Sequence, residues 1–148
     1  DLFKKQSKSV FLCRKKLLNK IKSSISDDDW KVIFAVKDSV NQNIEKERAD
    51  SVIKGSLDSK IKISCGSEIY GALKKIDNEL KFVFIASEVE LIEDSNTKLS
   101  IDITNYDQKK CIRCWNKCES IGSHEDDPEI CSRCHTNVYG DGEVRKFV

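Results

Sequence analysis

From Trp30 onward the apolar residues fall into two rhythms. Trp30, Ile33, Val36, Val40 and Ile44 recur at steps of three or four, the spacing of one stripe along a helix. Ser26 precedes that stripe as a fitting N-cap, and Asp27, Asp28 and Asp29 fill the first turn, where carboxylates favour the helix dipole. The helix is predicted to run to about residue 53, with Gly55 as its stop. The rhythm then changes. Lys60 to Cys65 alternates polar and apolar, as a half-buried strand does. Gly66-Ser67 opens a short helix with Ile69, Leu73 and Ile76 inward, and Asp77-Asn78 turns the chain. Leu80–Ala86 is apolar apart from Lys81 and reads as a central strand. Glu88–Ile92 and Leu99–Ile103 alternate again around a polar turn at Asp94–Asn96.

These elements predict an α+β fold, a long helix packed on a small sheet, followed by a C-terminal four-cysteine zinc finger. Three stretches are expected: a basic tail over 1–26, the α+β unit over 27–108 and the finger over 109–148. In the basic tail, Ser9-Val-Phe-Leu12 looks extended and 14–22 suits a short helix carrying Leu17, Leu18 and Ile21 on one side.

The finger rests on Cys111-Ile-Arg-Cys114 and Cys131-Ser-Arg-Cys134, with sixteen residues between the inner cysteines. Each pair is expected on a tight knuckle that aims two sulfurs at one point. Four thiolates complete the tetrahedron of one structural Zn²⁺ and leave no open position for catalysis. About forty residues bury too little apolar surface to fold alone, so the metal supplies the missing stability. Lys110, Arg113 and Arg133 lie where they can offset the charge of a tetrathiolate, and the planar guanidinium of either arginine suits contact with phosphate or bases instead. Trp115 follows the first pair and suits either a lid over the metal or a stacking platform for an unpaired base. Cys118, His124 and His135 are rival ligands read as bystanders; isolated Cys13 and Cys65 read as small core residues.

Seven cysteines in a chain without an export signal favour reduced, metal-binding thiols over a disulfide framework. No apolar run approaches the length needed to span a bilayer, so a soluble, cytoplasmic protein with no membrane partner is expected. A net charge of +1 hides an asymmetry: residues 1–25 carry eight Lys or Arg against Asp1 alone, while 55–108 carry ten acids against six bases. A basic arm beside an acidic body suits a polyanion met by part of the surface, and equally a solvated lysine-rich helix. The chain begins at Asp1 and contains no Met, so it is expected to be a piece of something longer.

At the finger and its tail the residues resemble a known family. Cys111-Ile-Arg-Cys-Trp115, Ile121-Gly122, Glu129-Ile-Cys-Ser-Arg-Cys134, Asn137-Val138, Gly140-Asp-Gly-Glu143 and Arg145-Lys-Phe147 are similar to the C-terminal end of bacterial isoleucyl-tRNA synthetase. Ser9–Leu12, Ile44-Glu-Lys-Glu-Arg-Ala49, Gly55-Ser-Leu57 and Glu79–Val83 leading to Ser87 resemble the segments before it. The resemblance implies that Cys111, Cys114, Cys131 and Cys134 bind the family's C-terminal zinc, and that Arg113 and Trp115 touch tRNA-Ile near its anticodon. It implies as partner the remainder of a synthetase chain, a monomeric class I ligase that binds ATP and joins isoleucine to its tRNA. Cys118 and His135 depart from the family's pattern. The family's adenylate-forming site needs His-Ile-Gly-His and Lys-Met-Ser-Lys-Ser; with two histidines eleven residues apart and no Met, this chain holds neither and no catalytic residue is assigned.

Three other readings compete. A formamidopyrimidine-type DNA glycosylase has a related terminal finger, but there the chain ends almost at the last cysteine, whereas fourteen residues follow Cys134. A thiol–disulfide oxidoreductase would carry one Cys-x-x-Cys at a helix start in a βαβ setting. A zinc-stapled interaction module would bind no nucleic acid.

Overall fold

The computed structural model describes residues 24–147. The extended 9–12 segment, the basic helix over 14–22 and Cys13 therefore lie outside the described residues. Among those described, no helix is long and apolar enough to cross a membrane.

Helix α1 spans Asp27–Ala49 and begins as its sequence demands. The Ser26 hydroxyl accepts the Asp29 amide while the Asp29 carboxylate accepts the Ser26 amide, a reciprocal capping box. Ile33, Val36, Val40 and Ile44 are buried in one line, with Trp30 packed partly against the same core. The helix ends earlier than the predicted residue 53. Ser51 takes a φ of 61°, and the Ser51 and Val52 amides return to the carbonyls of Arg48 and Glu47 at 3.1 and 2.9 Å. That is a Schellman closure made without glycine. It turns Ile53 into the core, and Gly55 instead precedes a 3₁₀ turn at Ser56–Asp58.

Three strands follow, β1 (Ser59–Cys65), β2 (Glu88–Glu93) and β3 (Leu99–Asn105), in the order β2-β1-β3. β1 is central, parallel to β2 and antiparallel to β3. Their registers line up two apolar rows, Val89–Ile61–Ile103 and Leu91–Ile63–Ile101, with Cys65 opposite Leu99. These rows join the α1 stripe in one core, and α1 packs on β3. Cys65 is the small core residue its strand position implied. The polar turn after β2 passes over the end of β1, where the Asp94 amide reaches the Cys65 carbonyl at 2.9 Å.

Between β1 and β2 the chain forms α2 (Ser67–Lys74), the expected short helix, with Ala72 and Leu73 buried on it and Ile76 buried just beyond its end. The strand expected over Leu80–Ala86 is absent. After a 3₁₀ turn at Asp77–Glu79, Leu80–Phe84 forms a short helix, α3. Burial of Leu80, Val83 and Phe84, with Phe82 half-buried and Ile85 exposed, has the three-and-four step of a helix, not the alternation of a strand. A short apolar run suits either state, and here β1 already occupies the sheet's centre. Ile85 ends α3 in the left-handed region, φ 56°.

Candidate metal centre and the surface around it

The first cysteine pair lies on a tight loop pinned at its base. Lys110 and Lys117 form an antiparallel bridge, and the Cys118 amide reaches the Lys109 carbonyl at 3.2 Å. Inside the loop the Cys111 amide donates to the Asn116 carbonyl and the Trp115 amide to the Cys111 carbonyl, both at 2.9 Å. The second pair is built differently from the expected knuckle. Cys131 is the N-cap of helix α4 (Ser132–Tyr139), so Cys134 lies in the first helical turn. The Ile112 amide donates to Glu129 and the Cys131 amide to Cys111 Sγ, joining the two halves.

The sulfurs of Cys111, Cys114, Cys131 and Cys134 all lie within 4.8 Å of one another. Cys114 and Cys131 are 3.8 Å apart. Zn–S bonds of about 2.3 Å in a tetrahedron require sulfurs about 3.8 Å apart, so the cluster fits one Zn²⁺. Cys111, Cys131 and Cys134 are buried and Cys114 is half-buried, with Ile130 and Ile121 packed alongside.

Hydrogen bonding divides the thiols. Burial works against the thiolate at Cys114, but donation from the Asn116 side chain and backbone and from Arg133 outweighs it and lowers the pKa to about 6. Cys111 is also lowered, because the amides of Cys114, Cys131 and Arg113 overcome its burial. Burial pushes Cys131 and Cys134 up. Four thiols this close do not ionise together without a cation, and a divalent metal bound among them would displace their remaining protons.

The rival ligands stay outside the cluster. Cys118 Sγ contacts the Ser120 hydroxyl at 3.6 Å. His124 and His135 stack on each other, ring centroids 3.8 Å apart, and His124 Nε2 meets the Ser132 hydroxyl at 3.1 Å.

Both arginines face the sulfurs. Arg113 donates to Cys134 Sγ at 3.6 Å, and Arg133 pairs with Glu143 at 3.1 Å beside the cluster. Trp115 is no lid: it is 63% exposed, and Lys110 Nζ lies 6.0 Å from its ring centroid. Its φ is 64°, a region that glycine enters freely and a bulky side chain does not.

The sequence did not reveal how the finger is fastened to the α+β core. Glu143 gathers Arg133, Arg145 and Asn137, and its amide donates to Asn137 Oδ1. Burial opposes ionisation of this carboxyl, but the donors, Arg145 foremost, lower its pKa. Beyond it, the amides of Lys146 and Phe147 donate to the two carboxylate oxygens of buried Glu79, at 2.5 and 2.9 Å. Arg145 lies 3.9 Å and Arg133 5.3 Å from the Phe82 ring centroid. Phe82 had a usable signal: a helical reading of Leu80–Phe84 turns it away from the core. Glu79 had none, because the amides of Lys146 and Phe147 that it accepts from leave no mark in the sequence.

Comparison with known proteins agrees with this geometry. Residues 108–137 match the family model described as a zinc finger found in FPG and IleRS. An isoleucine–tRNA ligase of Pseudoalteromonas atlantica is 38% identical over 135 residues, 84% of this chain. Those of Acinetobacter baylyi and Psychrobacter arcticus are each 35% identical, over 83% and 84% of it. The chain spans only about 14% of the length of such relatives. Residues 108–137 are thus a zinc-finger segment of the kind found in FPG and IleRS, and 84% of the chain is similar to one segment of the isoleucine–tRNA ligases.

Proposed function

We propose that this chain is the tRNA-facing end of an isoleucine–tRNA ligase, a class I enzyme of the cytoplasm that acts as a monomer. It is divided at about Lys109 into the α+β unit and the finger, with a basic tail preceding both. Cys111, Cys114, Cys131 and Cys134 ligate one structural Zn²⁺. Arg113 and Trp115 contact tRNA-Ile near its anticodon, and ATP and isoleucine are handled elsewhere in the enzyme.

The observation that carries this reading is Trp115. An indole held in the open, in a backbone conformation that costs a bulky residue free energy, serves poorly as packing and well as a platform for an unpaired base. Lys110 over its ring and Arg113 two residues away supply positive charge on the same loop. The glycosylase reading shares the finger alone, whereas the ligase relatives extend through the α+β unit.

Trp115→Gly tests the reading, because glycine suits this φ and leaves the sulfurs in place. Zinc content should stay at one per chain while tRNA-Ile binding weakens by about 1–3 kcal/mol, the usual worth of one stacked base. Unchanged affinity removes Trp115 from the interface. Failure of the parent chain to bind tRNA-Ile defeats the reading itself.

A further inference from the structure

A second surface adjoins the metal loop. A groove of about 680 Å³ runs between the end of α1 and the base of that loop, with Lys54, Lys110 and Lys117 on its walls. Asp58 sits between two of them, its carboxylate 3.8 Å from the Nζ of Lys110 and 3.8 Å from that of Lys117. Lys117 Nζ also donates to Asn105 Oδ1 at 2.9 Å, which fixes that ammonium in place. Three ammoniums against one carboxylate leave the groove positive, on a chain whose overall charge is only +1.

Lys110 links the groove to Trp115, since its ammonium lies over the indole. A positive channel leading to an exposed aromatic ring is the arrangement by which proteins hold a single strand: phosphates along the channel, a base on the ring. We infer that this groove is a phosphodiester track, in which Lys54, Lys110 and Lys117 bind the backbone of a single-stranded RNA segment whose neighbouring base stacks on Trp115. Asp58 Oδ1 lies 3.8 Å from both the Lys110 and the Lys117 ammonium and offsets part of their mutual repulsion. The track rests on the tRNA reading of the finger and extends it to residues of the α+β unit.

Salt dependence tests it in the zinc-loaded chain with a tRNA-Ile transcript. Four proteins are compared over a salt series: the parent, Lys54→Gln/Lys110→Gln, Trp115→Gly, and Lys31→Gln/Lys98→Gln. The last makes the same charge change away from the groove, on exposed lysines near the start of α1 and in the turn after β2. Each phosphate contact contributes about 0.7 to the slope of log K against log salt on a single strand. The groove variant should therefore lose about 1.4 from the slope, with zinc content unchanged. Trp115→Gly should lower affinity at an unchanged slope, and the remote variant should leave the slope as it is. An unaltered slope in the groove variant overturns the track while leaving the tRNA reading intact. Equal losses in both lysine variants overturn it too, because net charge then accounts for the effect. No binding by the parent removes the tRNA reading and the track together.

Discussion

The Lys117 amide, at the base of the metal loop, donates to the Ser87 hydroxyl at 2.7 Å, and that hydroxyl donates onward to the Leu57 carbonyl at 2.5 Å. One buried serine thus joins the finger to two segments of the α+β core. Ser87→Ala strands a donor and an acceptor at a buried seam, which costs about 1–3 kcal/mol. Urea unfolding should show a lowered midpoint with zinc content unchanged. An unmoved midpoint means the seam carries no such load.

The cysteines make a sharper forecast. Cys131→Ser removes one of the four sulfurs but leaves at the N-cap of α4 a residue that caps at least as well, so zinc should be lost and any fall in the helix signal of the tail reads the metal's contribution alone. Cys118→Ser and His135→Ala should each retain one zinc per chain by metal analysis. Loss of zinc from either would redraw the ligand set.

Ile85 offers a gain. It holds a φ of 56° with its side chain 55% exposed, so a β-branched residue bears left-handed strain for little burial. Ile85→Gly should raise stability by about 0.5–1 kcal/mol, read as a higher urea midpoint. A lower midpoint would show that the isoleucine packs usefully where it is.

Acid acts on the start of α1. Hydrogen bonds from the Lys75 side chain first, then from Ser26, lower the Asp29 carboxyl from 3.8 to about 2. A folded pKa below the unfolded one stabilises above the unfolded value and is lost as pH falls through the folded value. Asp29→Asn should therefore melt below the parent at neutral pH, and the gap should narrow between pH 4 and 2. Comparing the two proteins at each pH cancels the acid release of zinc. A gap constant with pH would mean the charge of Asp29 contributes nothing.

How much of this was legible follows from where each signal sits. The α1 stripe, the alternation of β1 to β3 and the four cysteines are periodic or spaced within the sequence, and each lies where that spacing put it. Leu80–Phe84 misled because five apolar residues suit a strand or a helix turn equally, and only the prior claim of β1 on the sheet centre decides. The end of α1 was misplaced because Ser51 closes the helix where glycine is the usual cue. The groove brings Lys54 to Lys110 and Lys117 across more than fifty residues of chain, a proximity that pattern along a sequence does not carry.

The bonds from the Lys146 and Phe147 amides to Glu79 tie the segment that follows α4 to the α+β core, a route by which metal binding and core folding can be linked. A metal that stabilises α4 and the tail after it would be felt through these bonds on the other side of the seam. Linkage is reciprocal, so whatever zinc adds to the stability of the α+β core, an intact core adds to the affinity for zinc. A substitution as distant from the sulfurs as Glu79→Ala should therefore appear in a zinc titration, and a chelator should lower the melting temperature of a sheet that touches no metal.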